Sequence, residues 1–317
     1  MNDRKKSHIS IFVLLFFVFS ILFSGCGDTV SAEISTTAPA KETTVPTVPQ
    51  KREDLETFLV MGLDKYEQPE KPEGYVNNTQ SDFMLLVVLD KNEKEIRALH
   101  INRDTMTDIT RLGVFGGAVG KYTAQIALAH AYGSGGSDSA LNAVRAVSNF
   151  LGGVKIDHYM TFTMDSVAIV NDMVGGVTVL VEDDFSRLDP DLVQGREITL
   201  KGEQALHFVQ GRINVADGTN LNRMARQRQY MTGLFGKVME ASFQDEQFPE
   251  RLVKKLGDAF DTDLSLYQLQ ELFETLKGCT LADILTIQGE NVLGEFMEFY
   301  ADPVSVEKTV DQLFSGE

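Results

Sequence analysis

The stretch SDFMLLVVLDKNEKEIRALHINRDT, residues 81–105, decides the fold. Its first part is a short apolar run bounded by polar residues, which is typical of a buried strand. Residues 96–102 alternate apolar and polar side chains, as a second strand would. The charged sequence between them favours a turn, so the two strands are predicted to form a hairpin joined near Lys91. Asp82 and Asp104 then both fall at the open end of the hairpin, away from the turn.

The flanking segments extend this pattern to an α/β fold. TFLVMGLD (57–64) and GGVTVLVED (175–183) are further predicted strands. Helical spacing of apolar residues predicts helices over 123–133, 137–153, 201–211, 220–241, 263–278 and 303–314. Thr219 or Asn220 is a suitable cap for the fourth of these helices. We therefore expect a single α/β domain over residues 55–317, with a central sheet covered by helices on both faces.

The N-terminus predicts export. A basic start, MNDRKK, is followed by an almost unbroken apolar run over residues 9–23 and by FSGCGD. The run is shorter than the roughly 20 residues of a spanning helix and is typical of a signal sequence. We interpret residues 1–26 as a lipoprotein anchor with lipid on Cys26. An uncleaved signal anchor is the alternative, because Phe23 stands where lipoprotein processing sites usually have leucine. Residues 27–54, rich in Thr, Ala and Pro, are predicted to be an extended spacer.

Composition excludes several functions. A net charge of −17 and a pI near 4.7 argue against nucleic-acid binding, which needs a broad basic surface. The sequence has no G-x-S-x-G motif, and GGAVGKY (116–122) lacks the spacing and the Ser or Thr of a P-loop. The five histidines show no metal-ligand spacing.

Arginine is concentrated in NLNRMARQRQY, residues 220–230, with no acid beside it. On a helix, Arg223, Arg226, Gln227 and Tyr230 share one face, whereas Arg228 points elsewhere. The planar guanidinium fork can bind phosphate oxygens bidentately, and the preceding turn would add the positive end of the helix. We expect an anion site, with a solvated and salt-bridged helix face as the alternative.

The open end of the hairpin is a second candidate site. Asp82 and Asp104 would converge there beside Arg103. Paired carboxylates can hold a hard divalent cation through oxygen ligands. The alternative is that each aspartate only caps a strand or begins a turn.

Seven short motifs occur in order along the chain: FLVMGLD (58–64), SDFMLL (81–86), INRDT (101–105), DHYMTF (157–162), VGGVTV (174–179), LKGEQALHFVQGR (200–212) and NRMARQRQYM (222–231). In this order and at this spacing they resemble the LytR-CpsA-Psr family, and the tail through residue 314 is similar to that of clostridial-type members. The resemblance implies an αβα sandwich and an extracytoplasmic, membrane-anchored phosphotransferase. Such an enzyme uses Mg2+ to move a glycopolymer such as teichoic acid from undecaprenyl pyrophosphate onto peptidoglycan.

The resemblance also implies roles for individual residues. Asp82 and Asp104 match the metal-associated aspartates of the family, and Arg103 matches the arginine of its PRDT-like motif; these three are the implied catalytic residues. The polar residues expected to surround the pyrophosphate are Arg103, Arg212, Arg223, Arg226, Gln227, Gln210 and Gln80. The polyprenyl chain needs an apolar groove, which the segments 123–133, 137–151 and 221–240 are candidates to line.

Four positions depart from the family pattern. Gln80 and Gln210 stand where many members have arginine, Asn102 replaces a proline, and Asn220 replaces an aspartate. The loss of two positive charges leaves open a non-catalytic or hydrolytic protein that binds polyprenyl pyrophosphate. A third interpretation, a transcriptional regulator, is disfavoured by the export signal and the acidic charge. The presence of both aspartates and Arg103 favours the transferase.

Overall fold

A computed structural model describes residues 54–65, 77, 79–216 and 218–316. The predicted anchor at 1–26 with Cys26, and all but the last residue of the predicted spacer at 27–54, lie outside the described residues. None of the helices within the described ranges has both the length and the apolar character needed to cross a membrane.

The described residues form twelve β-strands and eight α-helices. The strands are β1 (Leu55–Lys65), β2 (Thr79–Asp90), β3 (Glu95–Ile101), β4 (Met106–Leu112), β5 (Ala118–Gln125), β6 (His158–Thr163), β7 (Thr178–Leu180), β8 (Glu197–Thr199), β9 (Phe260–Thr262), β10 (Thr280–Thr286), β11 (Gly289–Leu293) and β12 (Met297–Ala301). The helices are α1 (Leu128–Ala131), α2 (Ser137–Phe150), α3 (Asp165–Met173), α4 (Glu203–Gln210), α5 (Asn220–Gln244), α6 (Phe248–Leu256), α7 (Leu266–Leu276) and α8 (Pro303–Ser315).

The central sheet contains six strands in the order β10-β3-β2-β1-β6-β9. It is mixed, because β1 and β6 are parallel, as are β3 and β10, whereas the other neighbours are antiparallel. The predicted hairpin is confirmed as β2 and β3. Asp90 pairs with Glu95 at the turn, and Met84 lies opposite Ile101 toward the open end.

Helices cover both faces of this sheet, as the sequence predicts. On one face, Leu59 and Met61 of β1 pack with apolar residues of α2 and α8. On the other face, Phe58 packs with residues of α5, α6 and α7. Burial on both faces explains why β1 and β2 are continuous apolar runs rather than alternating ones.

One predicted helix is mostly wrong. Residues 123–125 belong to strand β5, where Gln125 pairs with Met106, and only Leu128–Ala131 of the segment 123–133 is helical. The alanine-rich pattern favours a helix, but the backbone of these residues is already hydrogen-bonded to β4. The predicted strand at 175–183 is confirmed only at Thr178–Leu180, which pairs with β8 outside the central sheet.

The other five predicted helices are present as α2, α4, α5, α7 and α8. The cap of α5 is Thr219, whose side chain accepts a hydrogen bond from the backbone N–H of Asn222. The sequence analysis did not anticipate β4–β6, β8–β12, α3 or α6.

Candidate functional site

The loop after β3 presents the predicted catalytic residues on a rigid turn. The backbone N–H of Thr105 donates to the Asn102 carbonyl at 3.1 Å, and its hydroxyl donates to the same oxygen at 2.6 Å. The Asn102 side-chain oxygen in turn accepts from the backbone N–H of Asp104 at 3.0 Å. These bonds fix the backbone on both sides of Arg103.

Arg103 links the two strands of the β2–β3 hairpin at its open end. Its Nη1 donates to Asp82 Oδ1 at 2.5 Å, and its Nη2 donates to Gln80 Oε1 at 2.7 Å. Its Nε lies 3.4 Å from Asp104 Oδ1. The structure therefore brings Asp82, Arg103 and Asp104 together, as the hairpin geometry predicts, and Gln80 joins them.

Both carboxylates are buried, with 6% of Asp82 and 3% of Asp104 exposed. Burial raises the pKa of each above its ordinary value, and the neighbouring Arg103 opposes that rise. Asp104 Oδ1 accepts from Gln125 Nε2 at 3.1 Å, whereas its Oδ2 has no hydrogen-bond partner among the described residues. A buried carboxylate oxygen without a partner is available to a cation or to a proton donor.

Helix α5 brings a second arginine to this site. Arg223 Nη1 lies 3.9 Å from Asp82 Oδ2. Its Nε and Nη2 donate to the side-chain oxygen of Asn220 at 3.1 and 2.7 Å, and Asn220 Nδ2 donates to Asn102 Oδ1 at 2.7 Å. Two departures from the family pattern, Asn102 and Asn220, are therefore bonded to each other and orient Arg223. Sequence reasoning noted both residues without this connection, because 118 positions separate them.

Arg212 completes what we call the arginine cluster, Arg103, Arg212 and Arg223. Its Nε donates to the Gly218 carbonyl at 2.9 Å, and its charge acts on both Asp104 and Arg223. Burial lowers the pKa of Arg223, and the other two guanidinium groups lower it further. Three guanidinium groups therefore gather beside two buried carboxylates, and the charge of a third carboxylate, Asp64, also acts on Asp82. Grouped guanidinium forks in a poorly hydrated setting can bind an anion through charge-assisted hydrogen bonds.

Arg226 does not join this cluster, although it shares a helix face with Arg223. Its Nη1 pairs with Asp183, its Nε donates to the Phe208 carbonyl at 3.0 Å, and its Nη2 donates to the Gly211 carbonyl. The guanidinium carbon also lies 5.4 Å from the ring centre of Phe185. The prediction that Arg226 helps to hold the anion is therefore wrong in this structure, because its counter-charge is Asp183, 43 positions away in the sequence.

The remaining predicted ligand residues are divided between different places. Gln227 Nε2 donates to the Val209 carbonyl at 3.1 Å, and its buried Oε1 has no partner within the described part of the chain. Gln210 is half-buried at the end of α4. Arg228 lies away from the cluster, as predicted, but it is half-buried rather than fully exposed.

An apolar cavity opens beside Gln227. It consists of two adjoining spaces of about 250 and 220 Å3 between the sheet and helices α3, α5, α6 and α7. The two spaces share five lining residues, which are Val60, Phe162, Met231, Leu252 and Phe273. Of the three segments proposed to line a lipid groove, only 221–240 does so. The segments 123–133 and 137–151 supply no lining residue, because α1 and α2 contribute to the core on the opposite face of the sheet.

Comparison with known proteins supports a common fold. The polyisoprenyl-teichoic acid–peptidoglycan teichoic acid transferase TagU of Enterococcus faecalis is 26% identical over 280 residues, which cover 86% of this chain and 84% of the relative. TagV of Bacillus subtilis, a transferase of the same description, is 28% identical over 256 residues, covering 78% of this chain and 60% of the relative. The crystal structure of B. subtilis TagV superimposes with a TM-score of 0.63 at 26% identity, covering 83% of this chain and 96% of that one.

The profile described as the LytR_cpsA_psr family matches residues 22–314. The match includes all seven short motifs of the sequence analysis and ends at Phe314 in α8. The chain therefore belongs to the LytR-CpsA-Psr family.

Proposed function

We propose that this protein is an extracytoplasmic phosphotransferase that moves a glycopolymer from undecaprenyl pyrophosphate onto a sugar hydroxyl of peptidoglycan. One observation carries the proposal: the arginine cluster and an apolar cavity meet along α5, where Gln227, one turn after Arg223, lines the cavity. A polyprenyl pyrophosphate has the same two parts, a charged head and an apolar chain. The relatives named above are teichoic acid transferases, so a teichoic acid-like polymer is the expected cargo.

The two halves of the site would divide the work of binding. Arg103, Arg212 and Arg223 would hold the pyrophosphate by charge-assisted hydrogen bonds, which are about twice as strong as neutral ones. The apolar cavity would take the beginning of the polyprenyl chain, because each buried CH2 group contributes about 0.8 kcal/mol. Gln227 lines the apolar cavity one turn after Arg223, and its side-chain oxygen has no partner among the described residues.

The residues present fit a magnesium ion. Asp82 and Asp104 offer carboxylate oxygens, and Asp104 Oδ2 has no partner among the described residues. Within the described ranges, no group of three or more His, Cys, Asp or Glu residues could hold a metal ion. Two carboxylates suffice for Mg2+, which usually keeps several waters and binds substrate phosphates for its remaining ligands. When bound, the ion would neutralise charge on the pyrophosphate oxygens.

The chemistry is a phosphoryl transfer, in which positioning and charge neutralisation do most of the work. A sugar hydroxyl of peptidoglycan would attack the phosphorus that carries the glycopolymer. A new P–O bond forms, the bond to the bridging oxygen breaks, and the lipid phosphate leaves. The arginine cluster would offset the charge that develops on this leaving group. Asp82 or Asp104 would accept the hydroxyl proton, and burial has raised the pKa of both toward the working pH.

A second candidate, a non-catalytic or hydrolytic protein that binds polyprenyl pyrophosphate, has one observation in its favour. Gln80 accepts a hydrogen bond from Arg103 at 2.7 Å. Many members of the family have an arginine at this position, which would add a positive charge. Gln80 instead occupies one N–H donor of Arg103.

The location at the outer face of the cell membrane is part of the same proposal. It depends on residues 1–26, which would act as a lipoprotein anchor at Cys26 or as a signal anchor.

Incubation of the full-length protein with a lipid pyrophosphate-linked glycan and peptidoglycan tests this function. Transfer should require magnesium and should be lost in Asp82→Asn and Arg223→Ala, while Arg145→Ala, an exposed arginine on α2, should behave as wild type. Release of free glycan without transfer would indicate hydrolysis. Binding of the donor without either product would indicate the non-catalytic alternative.

A further inference from the structure

A separate cavity of about 160 Å3 is lined by a different set of α5 residues, Leu221, Met224 and Arg228, from those that line the apolar cavity. We call it the His100 cavity. Its walls come from the ends of β3 and β10, the first turns of α5, and the β11–β12 hairpin. It is smaller than the roughly 300–1,000 Å3 of a site that encloses a whole drug-sized ligand, so it suits one group of a larger molecule.

Two residues in the wall of this cavity leave buried nitrogen atoms without partners. His100 and Asn102 are only 2% and 6% exposed. Within the described part of the chain, neither His100 Nδ1 nor Asn102 Nδ2 has a hydrogen-bond partner. Buried polar atoms are almost always paired, so two such atoms around one cavity indicate a missing ligand or water.

The cavity wall also contains a cation that no described residue neutralises. Arg228 lines it, is half-buried, and makes no ion pair with any described residue. Burial lowers the pKa of Arg228, and the guanidinium nonetheless keeps its proton at any physiological pH. Burial and the charges of Arg228 and Arg223 lower the pKa of His100 to about 3, so the imidazole is neutral. The wall thus offers a charged fork, an amide donor and a neutral ring.

The rest of the wall is mixed, because its polar side chains Thr105, Thr286, Gln288 and Asn291 stand among apolar ones. Phe150, Met224 and Phe299 contribute side chains to it. Sugar rings present polar edges and apolar C–H faces, and a wall of this mixed composition suits such a ring better than it suits a free ion.

Asn102 connects this cavity to the arginine cluster. Its Oδ1 accepts from Asn220, which orients Arg223, while its Nδ2 is the unpaired atom described above. A group bound in the His100 cavity would therefore lie next to the residues that hold the reacting pyrophosphate.

We propose that the His100 cavity is a glycan subsite that binds an anionic substituent, a carboxylate or a phosphate, on a sugar adjacent to the reacting pyrophosphate. The subsite rests on the proposed function for its place beside the pyrophosphate. It adds a specificity element, because a neutral sugar would leave Arg228 without a counter-charge. Discrimination of this kind is strong when a buried polar group is left unpaired by the wrong ligand.

Ligand-observed NMR titration of the full-length protein tests the subsite with three probes. N-acetylglucosamine is neutral, N-acetylmuramic acid carries a carboxylate, and N-acetylglucosamine 6-phosphate carries a phosphate. We expect at least one charged sugar to bind about tenfold or more tighter than the neutral one, as a charge-assisted hydrogen bond implies. Comparison of the two charged probes distinguishes a carboxylate from a phosphate.

Two variants separate this site from the pyrophosphate site. Arg228→Gln, which keeps the length of the side chain, should remove the preference for a charged sugar, while the Kd for inorganic pyrophosphate stays within about twofold of wild type. Arg223→Ala should weaken pyrophosphate binding and keep the preference for a charged sugar. Arg228→Lys should retain part of that preference, because it keeps the positive charge. Unchanged pyrophosphate binding in Arg228→Gln also shows that this variant is folded.

The proposal is overturned if Arg228→Gln binds every probe as wild type does, if no sugar binds, or if only Arg223→Ala weakens the charged sugars. Failure of the proposed function has a different signature. In that case pyrophosphate binding would not depend on Arg223, while the preference for a charged sugar would still depend on Arg228.

Discussion

Replacement of Arg226 by alanine separates a structural arginine from a ligand-binding one. The sequence places Arg223 and Arg226 on one helix face and predicts that both bind the same anion. In the structure Arg226 instead pairs with Asp183 and donates to the carbonyls of Phe208 and Gly211. We therefore expect Arg226→Ala to lower the free energy of unfolding more than it lowers affinity for pyrophosphate.

The magnitude follows from burial. The side chains of Arg226 and Asp183 are 7% and 19% exposed, so the pair is largely removed from water. Removal of one partner of a buried ion pair costs about 3–5 kcal/mol, because the other charge is left uncompensated. For a domain of this size each kcal/mol shifts the Tm by roughly 2–4 °C, so the Tm should fall by roughly 10 °C. The two carbonyls that lose their donor add to this loss.

Thermal and urea unfolding, measured beside pyrophosphate calorimetry below the lowered Tm, provide the assay. Arg145→Ala on the exposed face of α2 is the matched control and should change the free energy of unfolding by roughly nothing. Asp183→Ala combined with Arg226→Ala should cost less than the sum of the two single changes, because both remove the same pair. If Arg226→Ala melts with the control and binds pyrophosphate as weakly as Arg223→Ala, this reasoning fails. Arg226 would then leave Asp183 to bind the ligand.

Four further outcomes are expected. Arg223→Ala should weaken pyrophosphate binding about tenfold or more, as calorimetry would measure, and unchanged affinity would remove Arg223 from the site. Its Tm should fall less than that of Arg226→Ala, because Asp82 keeps its hydrogen bond to Arg103. Asp104→Asn should abolish magnesium-dependent binding without lowering the Tm, because burial raises the pKa of Asp104 and the ionised form therefore costs stability at neutral pH. The folded-state pKa of His100 is about 3, below its ordinary 6.5, so stability is lost as the pH falls below 6.5. In urea unfolding, the free energy lost between pH 7 and pH 5 should be about 2 kcal/mol smaller in His100→Gln than in wild type. An equal loss in both proteins would contradict the buried neutral ring. Radiolabelled palmitate should enter the wild type and not Cys26→Ala; a wild type that takes up no label would favour the signal anchor.

The hairpin shows how much of the site local sequence can determine. The hairpin consists of two apolar runs, a charged turn of fixed length and an aspartate on each strand side of its open end. This pattern leaves little freedom of register, because a slip of one residue would turn every buried side chain outward. Asp82, Arg103 and Asp104 therefore lie together as predicted. Helix α5 was predictable for a similar reason, since a 3.6-residue period and a threonine cap are local features.

The errors have a common cause in contacts between distant parts of the chain. Residues 123–125 have a helical pattern, yet they pair with β4. The position of the apolar cavity depended on which face of the sheet each helix covers, a choice that amphipathic patterns alone do not record.

The sequence by itself determined the α/β class, the central hairpin with its carboxylates, the arginine-bearing face of α5 and the family. Only the tertiary structure decided how the arginines of that face divide. Arg223 turns toward Asn220 and Asp82, while Arg226 is held by Asp183 and two carbonyls of the α4 region. The physical reason is that helical periodicity fixes the direction in which a side chain leaves the helix. The partner that a long, flexible guanidinium finds depends on segments that only folding brings within reach.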